Sequence, residues 1–88
     1  KQLAMVSSRE DLHGHKKDRW TELSVYETKA GSFICTIDGL SSRPGEETRR
    51  KLEIVDSIEQ VVLHMGDGWL AMELYLAMNL DAVTRKFI

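Results

Sequence analysis

One run near the end of the chain limits the possible folds more than any other: Gly66-Asp67-Gly68-Trp69-Leu70-Ala71-Met72-Glu73-Leu74-Tyr75-Leu76-Ala77-Met78-Asn79. It starts like a helix, with Asp67 placed to cap it. Between Trp69 and Asn79 its only charged side chain is Glu73. A surface helix of a small domain normally pairs one apolar stripe with one polar face. This one is apolar almost all round and needs cover on more than one side. A chain of 88 residues has little protein to supply it, which points to a partner.

The apolar positions sort into two stripes. Leu70, Leu74, Ala77 and Met78 form one, suited to packing on the rest of the domain. Trp69, Met72, Tyr75 and Leu76 form the other, displaced around the axis. Tryptophan, tyrosine and methionine are enriched at interface centres, so this second stripe is the candidate partner-binding surface. The competing cover is the end of the chain, where Val83, Phe87 and Ile88 fold back over it.

What precedes this helix has strand character. From Trp20 the pattern has period two: Thr21, Leu23 and Val25 share one face, while Trp20, Glu22, Ser24 and Tyr26 share the other. Thr28-Lys29-Ala30-Gly31 makes a turn, and Ser32 to Ile37 returns as a second strand. Gly39 to Thr48 reads as a loop around Arg43-Pro44-Gly45. Lys51 to Val55 is a third strand, with Leu52 and Ile54 on one face. A first helix then begins with either Asp56 and Glu59 or Ser57 and Gln60 as its capping box. Ile58, Val61, Val62 and Met65 give it one apolar stripe, and Gly66 ends it. Leu80 to Ile88 is a short strand or an ordered tail.

The expected fold is therefore α+β: a three-stranded antiparallel meander followed by two helices packed on one face, in the order β-β-β-α-α. Residues 1–19 are expected to be a polar arm or short helix, with Ser7-Ser8-Arg9-Glu10 as its weak capping box, and residues 20–88 a single domain. The chain opens on Lys1 rather than Met, which leaves room for residues upstream.

Composition narrows the class. Hydrophobic residues at 42% and charged residues at 30% suit a globular domain rather than a disordered one. A lone cysteine, Cys35, cannot close an internal disulfide, which fits a reducing compartment. No apolar run approaches the length of a membrane span, and no signal segment is read at the start, so the expectation is a cytoplasmic protein with no membrane partner. Lys1 to Lys51 holds 10 basic and 8 acidic side chains, against 2 and 6 in Leu52 to Ile88. That asymmetry is too mild for a dedicated nucleic-acid binder or an acidic DNA mimic.

Motifs that carry chemistry are weak throughout. Asp11, His13 and His15, with His64 or Cys35, resemble a zinc set only in residue type; their spacing matches no structural zinc pattern, and they read as exposed side chains of a polar arm. Cys35 sits mid-strand between Ile34 and Thr36, the position of a small core filler rather than an activated thiol. Gly66-Asp67-Gly68 follows a helix and contains an acid, so a phosphate loop is rejected. The second helix opens Trp69-Leu70-Ala71-Met72-Glu73, which cannot read a DNA groove. Adjacent Glu46 and Glu47 show no buried partner to make an acid–base pair. No catalytic residue, cofactor or metal is expected, and the chain is read as a non-enzyme.

The alternative reading is a nucleic-acid-binding regulator. Lys16, Lys17, Arg49, Arg50 and Lys51, with Arg19 and Arg43 nearby, would form the patch if folding gathered them, and Trp20 or Tyr26 would stack bases. The bland counterpart is a solvated loop balanced by Glu46 and Glu47 beside a protected sheet edge.

Arg19-Trp20-Thr21-Glu22-Leu23-Ser24-Val25-Tyr26 with its glycine turn, followed by Gly68-Trp69-Leu70-Ala71 and a short apolar helix, resembles small uncharacterised accessory proteins of bacterial plasmids and phages. The likeness spans about Trp20 to Asn79. It implies a protein of a mobile element that binds a host or element protein, or acts as a regulator, and it assigns no residue a role. The leading expectation is a small interaction module that forms a homodimer or binds a partner protein through its second helix.

Overall fold

The computed structural model describes residues 1–10 and 13–78. In chain order the elements are β1 (Gln2–Ser7), β2 (Arg19–Glu27), β3 (Phe33–Ser41), β4 (Arg49–Val55), α1 (Ile58–Met65) and α2 (Trp69–Ala77). The α+β class and the antiparallel sheet agree with the sequence reading. The strand count does not: the sheet has four strands in the order β1-β2-β3-β4, and the added one lies within the stretch read as an arm or short helix. The short strand or ordered tail expected over Leu80 to Ile88, its apolar residues Val83, Phe87 and Ile88, and the candidate ligand Asp11 lie outside the described residues.

β1 escaped the periodicity argument for a physical reason. Its register on β2 shifts between Gln2 and Ala4, where Gln2 pairs with Tyr26 but Ala4 with Val25. Such an irregularity offsets the alternation at Leu3. Beyond it, Ala4 and Val6 oppose the core residues Val25 and Leu23, while Met5 turns to the other face. Apolar residues therefore occur on both faces, and period two disappears from the sequence.

β2 and β3 form the expected hairpin, closed by the Thr28–Gly31 turn. The Thr28 N–H donates to Ser32 O (2.9 Å), the Gly31 N–H donates to Thr28 O (3.1 Å), and Gly31 takes a φ of 87°. β3 continues through Gly39 to Ser41, beyond the expected end at Ile37, because Gly39 is paired on both sides, with Thr21 and with Arg49. A glycine held in two ladders does not stop a strand. The loop to β4 turns at Arg43-Pro44-Gly45, with the Glu46 N–H donating to Arg43 O (3.3 Å) and Gly45 at a φ of 82°.

Ser57, not Asp56, caps α1: its hydroxyl accepts from the Gln60 N–H (3.3 Å), and Gln60 Oε1 accepts from the Asp56 N–H (2.7 Å). Val61 is fully buried, and Ile58, Val62 and Met65 pack against the core as the stripe required. α2 departs from expectation at its start. Gly68 is the N-cap, no side chain caps the helix, and Asp67 is exposed. The helix begins one residue later than an Asp67 cap would set it.

Both helices cover one face of the sheet, α2 chiefly over β1 and β2 and α1 over β3. The core between them contains Val25, Cys35, Val61, Leu74 and Tyr75, all fully buried, with Ala4, Leu23, Phe33, Val55 and Ala71 around them.

Candidate functional site

On α2 the buried positions are Ala71, Leu74 and Tyr75, spaced i, i+3, i+4. The exposed positions are Trp69, Glu73, Leu76 and Ala77, on the opposite side. The two stripes expected from sequence are thus rotated. Leu74 faces inward as expected and Leu70 is half-buried, but Ala77 faces out.

Of the candidate partner-binding residues, Trp69 (60% exposed) and Leu76 (56%) do stand open, and Met72 is half-buried. Tyr75 is a correction, because it has no exposed surface at all. Its hydroxyl donates to Gly66 O (2.5 Å), with Val62 O at 3.4 Å. Gly66 is the C-cap of α1 and its carbonyl lies past the last intrahelical donor, whereas Val62 O already accepts the Gly66 N–H (2.8 Å). A tyrosine that buries its ring while its hydroxyl finds an acceptor satisfies both of its requirements. Burial raises the phenol pKa to about 12, with the Cys35 thiol and Asp67 charges adding to the shift. Tyr75 therefore clamps the two helices together and is not available to a partner.

α1 carries an exposed apolar side chain of its own, Leu63 (83%), on the helix face it shares with the exposed Glu59 and Gln60. Sequence reasoning passed over Leu63. The available signal was its position outside the Ile58, Val61, Val62, Met65 stripe.

The sheet face opposite the helices carries no helix among the described residues. Cross-strand partners share a face, so Met5, Trp20, Glu22, Ser24, Tyr26, Ile34, Thr36, Asp38, Leu40, Arg50, Leu52 and Ile54 lie on this side. Trp20 is not an open stacking platform: the Arg9 guanidinium sits 4.0 Å from its ring centroid, and its indole N–H donates to Glu22 Oε2 (3.0 Å). At the sheet's outer edge Leu52 and Ile54 are both more than half exposed.

The candidate nucleic-acid residues are not gathered into one patch. Arg50 lies on the helix-free face and is engaged with the nearly buried Asp38, donating through Nε (2.7 Å) and Nη2 (2.9 Å). That guanidinium holds the Asp38 carboxyl below its usual range. Arg49 and Lys51 alternate with Arg50 and so point to the other face. Lys16 is an exposed residue whose backbone pairs antiparallel with that of Glu10. Only Lys17 and Arg49 of the set share a concavity, an open hollow of about 920 Å³ at the end of the sheet remote from α1.

That hollow is polar and mixed in charge: Arg19 adds a third cation to its wall, and Glu46 and Glu47 add two carboxylates. Arg19 donates to Glu46 through Nε (2.9 Å) and Nη2 (2.6 Å), closing the loop onto β2. The guanidinium, with help from the Ser41 hydroxyl, lowers the Glu46 carboxyl to about 2. An Arg19 already matched by a carboxylate in this forked geometry is not presented to a phosphate.

The remaining chemical candidates are accounted for by placement. Cys35 is buried in the core, and burial, with the Glu53 charge behind it, raises its thiol pKa, disfavouring the nucleophilic thiolate. The His13 and His15 rings lie 6.2 Å apart on the exposed arm, and His64 is half-buried on α1. Among the described residues no three His, Cys, Asp or Glu side chains converge as a metal site, and no helix is long and apolar enough to cross a membrane. No known protein family, curated protein or solved structure matches this chain.

Proposed function

We propose that this chain is a small non-enzymatic interaction module that binds a partner protein through the outer stripe of α2. The observation that carries the reading is the pairing of Trp69 and Leu76, both more than half exposed, on a helix whose inner stripe is already fully used. They stand two turns apart, roughly 10 Å along the axis, with Met72 beside them and Glu73 between them. The complementary partner is an amphipathic helix, with apolar side chains two turns apart and a lysine or arginine opposite Glu73. Tryptophan at the centre of such a contact commonly dominates its energy.

A photo-crosslinking residue placed at Leu76 should capture a specific protein from the native host extract. That protein, purified, should bind the wild-type chain, and Trp69→Ala should weaken binding by at least about tenfold. Binding that survives both Trp69→Ala and Leu76→Asp would rule out this surface.

A further inference from the structure

β4 is an edge of the sheet, and among the described residues nothing pairs with its outer side. Of its seven residues, Arg49 through Ile54 are all exposed and only Val55 is buried. An edge strand with exposed Leu52 and Ile54 is a template for another strand. We infer that the strand it takes is a second copy of itself: two chains pair antiparallel through Arg49–Val55 about a twofold axis at Leu52, joining two sheets into one.

The argument is one of self-complementarity, which a twofold interface demands. Leu52 is the midpoint of β4, so an axis there pairs the whole strand, Arg49 opposite the second copy's Val55. On the helix-bearing face, Lys51 comes opposite the second copy's Glu53, and the symmetry makes that opposite-charge pair twice. On the other face Leu52 meets the second copy's Leu52, and Ile54 lies across from the aliphatic stem of the second copy's Arg50. Cross-strand pairs of these kinds are favourable in antiparallel sheets, and directly opposed like charges are not.

The same sequence rejects its neighbours in register. An axis at Lys51 sets Lys51 against itself, and an axis at Glu53 sets Glu53 against itself. Edge charges that only kept strands apart need no such antisymmetry about the strand centre. α1 packs chiefly over β3, the strand on the inner side of β4. This contact uses a different surface from the α2 stripe and does not depend on it.

The test is association measured by sedimentation equilibrium and light scattering. The wild-type chain should be dimeric. Lys51→Glu and Glu53→Lys, each turning both attractions into repulsions, should weaken the dimer by about 10- to 100-fold. Mixed in equal amounts, the two variants should recover association as a 1:1 heterodimer, because an all-acidic pair of positions then faces an all-basic one. Trp69→Ala should leave the dimer intact. A wild-type monomer at millimolar concentration overturns the inference. So does a dimer indifferent to both charge reversals, or variants that fail to re-pair on mixing. Loss of the dimer in Trp69→Ala alone would move self-association to α2 and equally overturn the β4 axis.

Discussion

Replacing Tyr75 by phenylalanine tests whether the helical pair is held as the geometry indicates. The substitution keeps the buried ring and removes only the hydroxyl. That hydroxyl has one proton, and the Gly66 carbonyl at 2.5 Å takes it; Val62 O, at 3.4 Å, already accepts the Gly66 N–H at 2.8 Å. One hydrogen bond is therefore lost, worth about 1 kcal/mol net. Gly66 is only partly buried, so water can reach its carbonyl and the full penalty of an orphaned acceptor does not apply. For a domain of this size the loss corresponds to a fall in Tm of about 4–8 °C. Tyr75→Ala, which also empties the ring's site, should cost about 3–5 kcal/mol. Thermal and urea unfolding followed by circular dichroism measure both.

A second arm uses pH. Buried Tyr75 keeps its proton to about 12, against 10.0 for an ordinary phenol. The folded pKa is raised, so the stability it contributes is complete below pH 10 and is lost as pH climbs toward 12, where only the unfolded state readily ionises. The phenylalanine variant should lose less stability than the wild type across that window. A Tyr75→Phe protein as stable as wild type, with the same alkaline profile, would refute the clamp.

Ser57→Ala should cost about 1 kcal/mol by removing the cap of α1, whereas Asp56→Ala should cost less, as chemical denaturation will show. Asp38 and Glu46 both have lowered pKa values, Glu46 at about 2, so the stability they contribute is present above their unfolded values and is lost as pH falls through the folded ones. Melting curves from pH 5 down to about 2 should fall, and Arg19→Gln should flatten that fall. Cys35 should react with a thiol reagent only at the rate of core opening, so mild urea should accelerate its labelling; fast labelling in buffer would contradict its burial.

Where a pattern was local, the sequence carried it into the fold. The period-two run from Trp20, the Thr28–Gly31 turn, the α1 stripe and the Ser57–Gln60 box all depend on residues within a few positions of each other. The structure extends or selects among these features without replacing them. β1 was illegible because its Leu3 irregularity and Met5 hid the alternation, and only pairing with β2 defines it. The candidate site was legible in part. Trp69 and Leu76 are exposed as expected, while Tyr75 was misplaced because an aromatic at i+6 from Trp69 looks equally suited to either side of an apolar helix.

By itself, then, the sequence determined the α+β class, the hairpin, the two helices and the surplus of apolar surface on the second, since short-range periodicity and turn chemistry encode all of these. Tertiary structure alone decided the rotation of α2, which follows from the reach of the Tyr75 hydroxyl to Gly66 and the snug fit of Ala71 and Leu74 over the sheet. It also decided the fate of the cations. Alternation along β4 sends Arg50 to one face and to Asp38, and Arg49 and Lys51 to the other, so residues adjacent in sequence never become one patch. Neither outcome is local: each rests on partners brought from other strands and helices, whose distances no spacing along the chain contains.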